Sequence, residues 1–260
     1  MQMKRMLTDM KFALLGLLGT EEARDLENCP DFLGIGVPQG ATTWLYENMR
    51  QHPEVYFPGK KELNYFTNRF IYPFSWYKRA FEEGKGLIKG EITAGYCALS
   101  KNQVEIVHQY LPEVKIFLNL RHPIDRVWSA ARRVLGWKYE RLEDAPDDAF
   151  IDFFKRADVR SRTDYPRILD NWKACYGPNQ VLVTFFEEMK VDPEGVLRKI
   201  FRHIGASTDL TLKTFPLKKK VNSNPRLEIP ERFRAILEER YRKVINEVNH
   251  RFGESVTNWD

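Results

Sequence analysis

Residues 34–66 read GIGVPQGATTWLYENMRQHPEVYFPGKKELNYF and decide the fold, because an apolar strand breaks here into a turn and continues as a helix. Phe32–Gly36 is the predicted strand, VPQGA is the turn, and Thr42–Gln51 is the predicted helix. Thr42 and Thr43 open that helix. Its unpaired backbone N–H groups, the two hydroxyls and the positive end of the helix dipole favour an anion. The stretch therefore predicts a strand–turn–helix unit that binds a phosphate-like group.

This turn departs from the P-loop of kinases and NTPases. The pattern G-x-x-x-x-G-K-[ST] falls on Gly36–Thr43, but Ala41 replaces the second glycine and Thr42 replaces the lysine. From this motif alone, a glycine-rich turn with a threonine cap and no ligand is an equally open interpretation. The strand VKIFLNL ends in Arg121, which would repel Mg²⁺, so a P-loop kinase is only a remote alternative.

The rest of the chain predicts an α/β fold. Further short apolar strands are predicted at Gly86–Lys89, Val114–Leu120 and Gln180–Phe185. Amphipathic helices are predicted between them, at Lys101–Leu111, Pro123–Leu135 and Tyr165–Tyr176. This alternation predicts a P-loop-like three-layer domain, with a central parallel sheet flanked by helices. Ligands of such a sheet bind beyond the carboxyl ends of its strands.

Length and composition predict one soluble domain. Of the 260 residues, 43% are hydrophobic and 30% are charged, which is ordinary for a globular protein. We expect residues 1–260 to form a single domain, with 1–30 as an N-terminal helical extension and 136–162 as a lid or an insertion. The apolar stretch near the N-terminus has only about eight residues, too few to span a membrane.

The charge and the cysteine content limit which ligands, metals and binding partners the sequence predicts. The net charge of +5 favours an anionic ligand. The basic residues form no stripe and no nucleic-acid-reading module is apparent, so we expect no nucleic acid. The three separated cysteines and five histidines show neither zinc spacing nor a disulfide framework. We therefore predict a cytoplasmic protein without a metal ion or an integral membrane segment, and we predict no particular oligomeric state.

A second anion-binding element follows the strand VKIFLNL. Its sequence, RHPIDRVWSAARR, places Arg121 at the end of the strand and Ser129 less than two turns into a helix that begins at Pro123. Arginine supplies a charged, bidentate fork and serine supplies a neutral donor. The two side chains therefore suit one phosphate.

Together these elements resemble the sulfotransferases that use 3′-phosphoadenosine 5′-phosphosulfate (PAPS), nearest to the bacterial and heparan-sulfate-type carbohydrate branch. In that family, K-x-G-T-T binds the 5′-phosphosulfate and LR-x-P-x-x-R-x-x-S binds the 3′-phosphate. The resemblance spans Phe32 to Phe201 and, loosely, a basic loop near Lys220. Arg126 matches the second arginine of the second element, or forms an ion pair across the sheet. The resemblance implies these cofactor-binding residues: Gln39, Gly40, Ala41, Thr42, Thr43, Trp44, Arg121, Ser129 and Lys220.

The resemblance also implies a catalytic base, the glutamate of K-E-x-x-[YF]-F, which falls on Glu62. Transfer to a hydroxyl needs a base for the acceptor proton, and neighbouring lysines favour an ionised carboxylate. A solvated charge on a loop is the alternative. Glu91, in KGEITAGY, either braces a loop or contacts the acceptor. The implied acceptor contacts are Lys61, Asn64, Glu91, Trp137 and Tyr139.

Gln39 is the main departure, because the family has a lysine at this position. Glutamine can donate a hydrogen bond to the bridging oxygen but carries no charge, and losing one strong transition-state donor costs about 3 kcal/mol, or roughly 100-fold in rate. Ile92 replaces a second lysine of some relatives, so the candidate substitute cations are Lys60, Lys61 and Lys89.

We thus predict a PAPS-dependent sulfotransferase that releases 3′-phosphoadenosine 5′-phosphate (PAP) and acts on a hydroxyl or amine. The acceptor is expected to be a small molecule or a glycan. The alternative is a weakly active or non-catalytic relative that binds PAPS or PAP, in which Gln39 marks the loss of turnover.

Overall fold

A computed structural model describes residues 7, 10–12, 14, 27–218, 228–253 and 259. The strands are β1 (Phe32–Gly36), β2 (Val55–Tyr56), β3 (Ile88–Ile92), β4 (Lys115–Leu120) and β5 (Val181–Phe185). The α-helices are α1 (Thr42–Met49), α2 (Phe74–Arg79), α3 (Lys101–Tyr110), α4 (Pro123–Leu135), α5 (Asp147–Lys155), α6 (Ala157–Ser161), α7 (Tyr165–Cys175), α8 (Phe186–Val191), α9 (Pro193–Ile204) and α10 (Glu231–Phe252). A π-helical turn spans Tyr65–Arg69, and 3₁₀ turns span Glu82–Gly84, Ala94–Ala98 and Leu142–Asp144.

The strands form one five-stranded sheet in the order β2–β3–β1–β4–β5, and neighbouring strands are parallel. The predicted α/β fold with a central parallel sheet is therefore confirmed. Because β1 lies between β3 and β4, the turn after β1 is flanked by the chain as it leaves those two strands. The carboxyl ends of the three strands meet at one edge of the sheet, where parallel sheets bind their ligands.

Strand boundaries differ from prediction mainly at β3. The strands β1, β4 and β5 begin within one residue of the predicted positions, whereas β3 spans Ile88–Ile92 instead of Gly86–Lys89. The strand continues through Gly90 and the buried Glu91, two residue types that interrupt an apolar pattern. The two-residue β2 carries no periodicity from which it could be predicted.

Helices cover both faces of the sheet. Leu33 and Ile35 of β1 belong to the larger core on one face, whereas Phe32 packs with α1 and α9 on the other. Successive side chains of a strand point to opposite faces, so burial on both sides explains the uninterrupted apolar sequence of β1.

The segment 136–162 has two structurally different parts. Residues 136–144 are mostly exposed, whereas α5 and α6 follow as helices. Phe150 and Phe154 of α5 are buried, and the ring of Phe150 lies 4.9 Å from that of Phe233 in α10. A lid therefore stays a prediction for residues 136–144 and does not extend to the packed helix α5.

The described N-terminal residues contact the rest of the protein. Residues 10–12 are helical, and the ring of Phe12 stacks on Phe70 at 4.2 Å. Lys11 Nζ donates a hydrogen bond to the carbonyl oxygen of Tyr72 at 3.1 Å. The helical extension over residues 1–30 and the single-domain organisation of the whole chain stay predictions.

Helix α10 is amphipathic. Its buried face includes Phe233, Leu237 and Tyr241, which are spaced by four residues, as one face of an α-helix requires. Among the residues that the structure describes, no helix combines the length and the apolar character that crossing a membrane requires.

Candidate active site

The turn between β1 and α1 holds two non-glycine residues in the left-handed conformation. Gln39 has a φ of 69° and Ala41 a φ of 60°, a region that side-chain-bearing residues rarely adopt. Ala41 is the N-cap residue of α1 and makes no side-chain cap. The first N–H groups of a helix have no intrahelical partner. The uncapped start of α1 therefore suits an anion.

The end of β4 fixes the position of this turn. Gly40 leaves no room for a side chain, because a Cβ there would lie 2.5 Å from the carbonyl oxygen of Asn119. The side-chain amide of Asn119 donates to the carbonyl oxygen of Gly40 at 2.8 Å, and the N–H of Val37 donates to the carbonyl oxygen of Asn119 at 3.1 Å. Sequence analysis does not identify Asn119. Its only signal is one amide residue within the apolar strand KIFLNL.

The two predicted phosphate-binding elements meet at Gln39. Arg121 Nη1 donates to the carbonyl oxygen of Gln39 at 3.1 Å. The Ser129 hydroxyl donates to Gln39 Oε1, also at 3.1 Å. The structure thus brings together three of the residues that sequence analysis assigns to the cofactor, although their binding roles stay predictions.

Arg121 is a largely buried cation with unused donor capacity. Its guanidinium lies 4.6 Å from the ring centre of Phe186 and 3.9 Å from a carboxylate oxygen of Asp125. Burial lowers the pKa of Arg121, and the negative charges of Asp125 and Glu187 oppose that shift. Arg121 Nε is buried without a hydrogen-bond partner among the described residues. The charge and the remaining donor capacity of Arg121 therefore suit an anionic ligand.

Glu62 lies at the carboxyl end of β3. Its N–H donates to the carbonyl oxygen of Ile92 at 3.1 Å, and the residue has a φ of 65°. Lys61 Nζ lies 2.6 Å from Glu62 Oε1, and 38% of the Glu62 side chain is exposed. Asn64 Nδ2 donates to the carbonyl oxygen of Glu62 at 2.8 Å. The carboxylate is therefore held at the edge where the turn lies, and it remains accessible to an acceptor.

Cys97 packs against the start of the turn. Burial raises the pKa of the Cys97 thiol to about 12. The same thiol lies against Gly36, where a Cβ would stand 3.3 Å from Sγ.

Glu91 braces a loop and does not face an acceptor, which corrects its assignment as an acceptor contact. The residue is 2% exposed. Its two carboxylate oxygens accept four hydrogen bonds, from the hydroxyls of Tyr77, Tyr96 and Thr93 and from the N–H of Leu63. Burial raises the pKa of Glu91, and these four donors oppose the rise. The bond to Leu63 supports the backbone directly after Glu62.

Trp44, Thr42 and Gly40 are buried, whereas the other residues of the predicted turn site are partly exposed. Trp44 is 7% exposed and Thr42 is 6% exposed. The indole N–H of Trp44 donates to the carbonyl oxygen of Leu217 at 3.1 Å. The Trp44 side chain therefore connects the first turn of α1 to Leu217, the residue that precedes Lys218.

For two cationic side chains, the structure excludes one of the roles that the sequence left open. Lys89 lies near the amino end of β3, the edge opposite the turn, so it cannot replace the missing lysine. Arg126 forms no ion pair across the sheet among the described residues. It is 1% exposed and donates to the carbonyl oxygen of Val159 at 3.2 Å and to the hydroxyl of Thr163 at 2.6 Å.

The remaining predicted acceptor contacts lie around the end of α4. Trp137 is 74% exposed, and the guanidinium of Arg133 lies 4.9 Å from its ring centre. Tyr139 is half-buried against the larger core. Lys220 lies outside the described residues. Within the described ranges, no group of three or more His, Cys, Asp or Glu side chains is arranged to hold a metal ion.

Part of this chain is similar in sequence to known sulfotransferases. Residues 99–209 match the profile described as the sulfotransferase family. The membrane-associated sulfotransferase kil1 of Dictyostelium discoideum is 30% identical over 42% of this chain and 24% of its own length. The heparan sulfate glucosamine 3-O-sulfotransferase 3B1 of Mus musculus is 26% identical over 72% of this chain and 48% of its own length. The chain thus spans about half the length of these curated relatives, or less.

A solved structure shares the fold over nearly its whole length. The sulfotransferase of Alicyclobacillus acidocaldarius superimposes with a TM-score of 0.70 at 22% identity, covering 88% of this chain and 98% of the other. The family profile contains Arg121 and Ser129, whereas the turn and Glu62 precede the matched residues. Residues 99–209 thus match the sulfotransferase family, and the chain shares the fold of a sulfotransferase structure.

Proposed function

We propose that this chain transfers the sulfuryl group of PAPS to a hydroxyl or amine of an acceptor and releases PAP. The observation that carries the proposal is the contact of Gln39 with both Arg121 and Ser129 at the carboxyl edge of the sheet. Two anion-binding elements that are far apart in sequence are thereby available to one ligand. This edge is also where parallel α/β sheets bind nucleotides.

The residues at this edge fit a nucleotide with two phosphate-bearing ends. We assign Arg121 and Ser129 to the 3′-phosphate, because Arg121 Nε is a buried donor without a partner among the described residues. We assign the turn at Gln39–Thr43 to the 5′-phosphosulfate, because the start of α1 is uncapped and Gly40 keeps side-chain atoms out of the turn. The basic run at Lys218 to Lys220 is assigned to the nucleotide by family resemblance alone.

Two side chains carry the proposed chemistry. PAPS, when bound, supplies a sulfuryl group on a phosphate leaving group. Glu62 accepts the proton of the acceptor, and Oε2 is the oxygen that Lys61 does not bind. Gln39 donates from its amide nitrogen toward the leaving oxygen, because its Oε1 is occupied by the Ser129 hydroxyl. A donor placed where charge develops is among the largest contributions to such catalysis.

We propose a small molecule or a glycan as the acceptor. Support for a glycan comes from relatives named as heparan sulfate sulfotransferases and a carbohydrate sulfotransferase. It also comes from the exposed Trp137 and the half-buried Tyr139, since aromatic faces with a few polar groups are typical of small-ligand sites.

Calorimetric titration tests the nucleotide part of this proposal. We expect PAP to bind and ATP with Mg²⁺ to give no binding heat. Adenosine 5′-phosphate, which lacks the 3′-phosphate, should bind at least about tenfold more weakly, because the hydrogen bonds of Arg121 to that phosphate are lost. Binding of ATP–Mg²⁺ without PAP binding would instead favour a P-loop kinase and end the sulfotransferase proposal.

A second candidate function is a nucleotide-binding protein with little or no turnover. Gln39 favours it, because its side chain is neutral and partly engaged by Ser129. The neighbouring cation does not compensate, since Lys61 is paired with Glu62. Ile92 adds no charge at the end of β3.

Replacing Gln39 with lysine is expected to raise sulfate transfer from PAPS by about tenfold to 100-fold, because a cation stabilises the charge that develops on the leaving oxygen. The backbone conformation is equally costly for either residue, since neither is glycine. The measurement is transfer to a panel of hydroxyl and amine acceptors. Gln51→Lys, at the exposed distal end of α1, adds the same charge and should change nothing. If neither the parent nor Gln39→Lys transfers sulfate to any acceptor, the result favours a nucleotide-binding protein without turnover over a sulfotransferase.

A further inference from the structure

Asn119 is a fully buried amide in the central part of the sheet. It lies in β4 next to β1 and β5, and it is 0% exposed. Its Nδ2 donates to the carbonyl oxygen of Gly40 at 2.8 Å. Its Oδ1 accepts from the hydroxyl of Thr184 in β5 at 2.8 Å. Thr184 is also 0% exposed. Thr184, Asn119 and the Gly40 carbonyl therefore form a continuous chain of hydrogen bonds away from solvent.

The Gly40 carbonyl determines which end of the Asn119 amide faces the turn. A carbonyl oxygen can only accept, so the NH₂ group points toward Gly40 and Oδ1 points toward β5. The Thr184 hydroxyl donates to that Oδ1 and so holds the amide from the other side. The turn is therefore connected to β5 through Asn119.

The bond to Gly40 also fixes the direction of a backbone N–H group. The C=O and N–H groups of one planar trans peptide point in opposite directions. The carbonyl of Gly40 points toward Asn119, so the N–H of Ala41, in the same peptide, points away from β4. Arg121 holds the preceding carbonyl, that of Gln39, in the same manner. Two consecutive carbonyl oxygens of the turn are thus bound by donors from β4 and from the residue that follows it.

We propose that Asn119, held by Thr184, is a positioning residue for the anionic group of the nucleotide: it aims the Ala41 N–H at that group by holding the Gly40 carbonyl. This inference rests on the proposed function for the identity of the ligand. Gly40 makes the contact possible, because a Cβ at this position would lie 2.5 Å from the Asn119 carbonyl oxygen and 2.9 Å from that of Val37.

A purely structural role and a positioning role predict different stabilities and nucleotide affinities for variants of Asn119 and Thr184. Two buried polar groups that satisfy each other can be replaced together by apolar side chains of similar shape with little change in stability. A positioning role predicts that stability and nucleotide affinity separate in that double variant. Leucine is close in shape to asparagine, and valine is close in shape to threonine.

The experiment compares the parent with Asn119→Leu, Thr184→Val, the double variant Asn119→Leu/Thr184→Val, and Thr184→Ser. Asn119→Leu alone should unfold at lower urea concentration, and the double variant should recover only the part of that loss that comes from the unpaired Thr184 hydroxyl. PAP should still bind the double variant about fivefold to tenfold more weakly than the parent, the effect of one lost hydrogen bond. Thr184→Ser keeps the hydroxyl and should match the parent in both measurements. Amide hydrogen exchange at Val37–Leu45, without ligand, should be faster in the double variant.

The outcomes separate this inference from the proposed function. If the parent binds no PAP, the proposed nucleotide is wrong, and hydrogen exchange at Val37–Leu45 then decides the positioning role. Unchanged exchange in the double variant overturns that role. So does a double variant that binds PAP as tightly as a PAP-binding parent, since Asn119 would then be only a satisfied core residue.

Discussion

Glu62→Gln is expected to lower the rate of sulfate transfer by about 100-fold to 10,000-fold, the usual contribution of a general base. Glutamine keeps the shape of the side chain but cannot accept the acceptor proton. The Glu62 side chain is 38% exposed and does not belong to the buried core, so we expect an unchanged free energy of unfolding. PAP affinity should also be unchanged, because Glu62 is assigned to the acceptor and not to the nucleotide.

The measurement is the rate of transfer from PAPS, in the parent or, if the parent is slow, in the Gln39→Lys background. Glu105→Gln, which removes a carboxylate from the exposed face of α3, is the matched control and should retain full activity. An active enzyme that tolerates Glu62→Gln would show that another group takes the proton. A variant that loses PAP affinity together with rate would place Glu62 at the nucleotide instead.

Arg121→Met is expected to weaken PAP binding by about 100-fold or more, because each hydrogen bond to a charged group contributes about 1.5–3 kcal/mol and an arginine fork can form two. Methionine retains much of the apolar packing against Phe186, whose ring the guanidinium now covers at 4.6 Å. Arg121→Lys should recover only part of the loss, since a lysine keeps the charge without the planar fork. Arg50→Met, at the exposed far end of α1, removes one positive charge and should leave PAP binding unchanged.

Arg121 also holds the carbonyl of Gln39, so a simple loss of affinity would not identify its target. A cycle with adenosine 5′-phosphate separates the two roles. If Arg121 binds the 3′-phosphate, Arg121→Met should weaken binding of PAP strongly and of adenosine 5′-phosphate only slightly. Equal weakening of both nucleotides would contradict the 3′-phosphate assignment and leave Arg121 as a support for the turn.

The fold was predictable because both faces of the sheet are covered. Burial of most of their side chains makes β1, β4 and β5 largely apolar runs, and each begins within one residue of its predicted position. The strand β3 was harder to place because Glu91 lies within it, buried and surrounded by four donors. Two of those donors, Tyr77 and Leu63, lie 14 and 28 residues away in sequence, so no local pattern predicts the whole set.

The candidate site was predictable only in part. Arg121 and Ser129 have a recognisable spacing, and their contact with Gln39 follows once β1 and β4 are neighbours. Asn119 and Thr184 were not predictable, because an amide or hydroxyl inside an apolar strand has no meaning until its partner strand is known. The function of Arg126 also depended on tertiary contacts, since its partners lie at the junction of α6 and α7.

The indole of Trp44 has a consequence beyond packing. Its hydrogen bond to Leu217 joins the first turn of α1 to the residue before the exposed Lys218. We expect a change at one end of this connection to affect the other end, because thermodynamic coupling between two positions is reciprocal. If the start of α1 binds the proposed phosphosulfate, a substitution near Lys218 should change its affinity without contacting it, and loss of the Trp44 indole should abolish that effect.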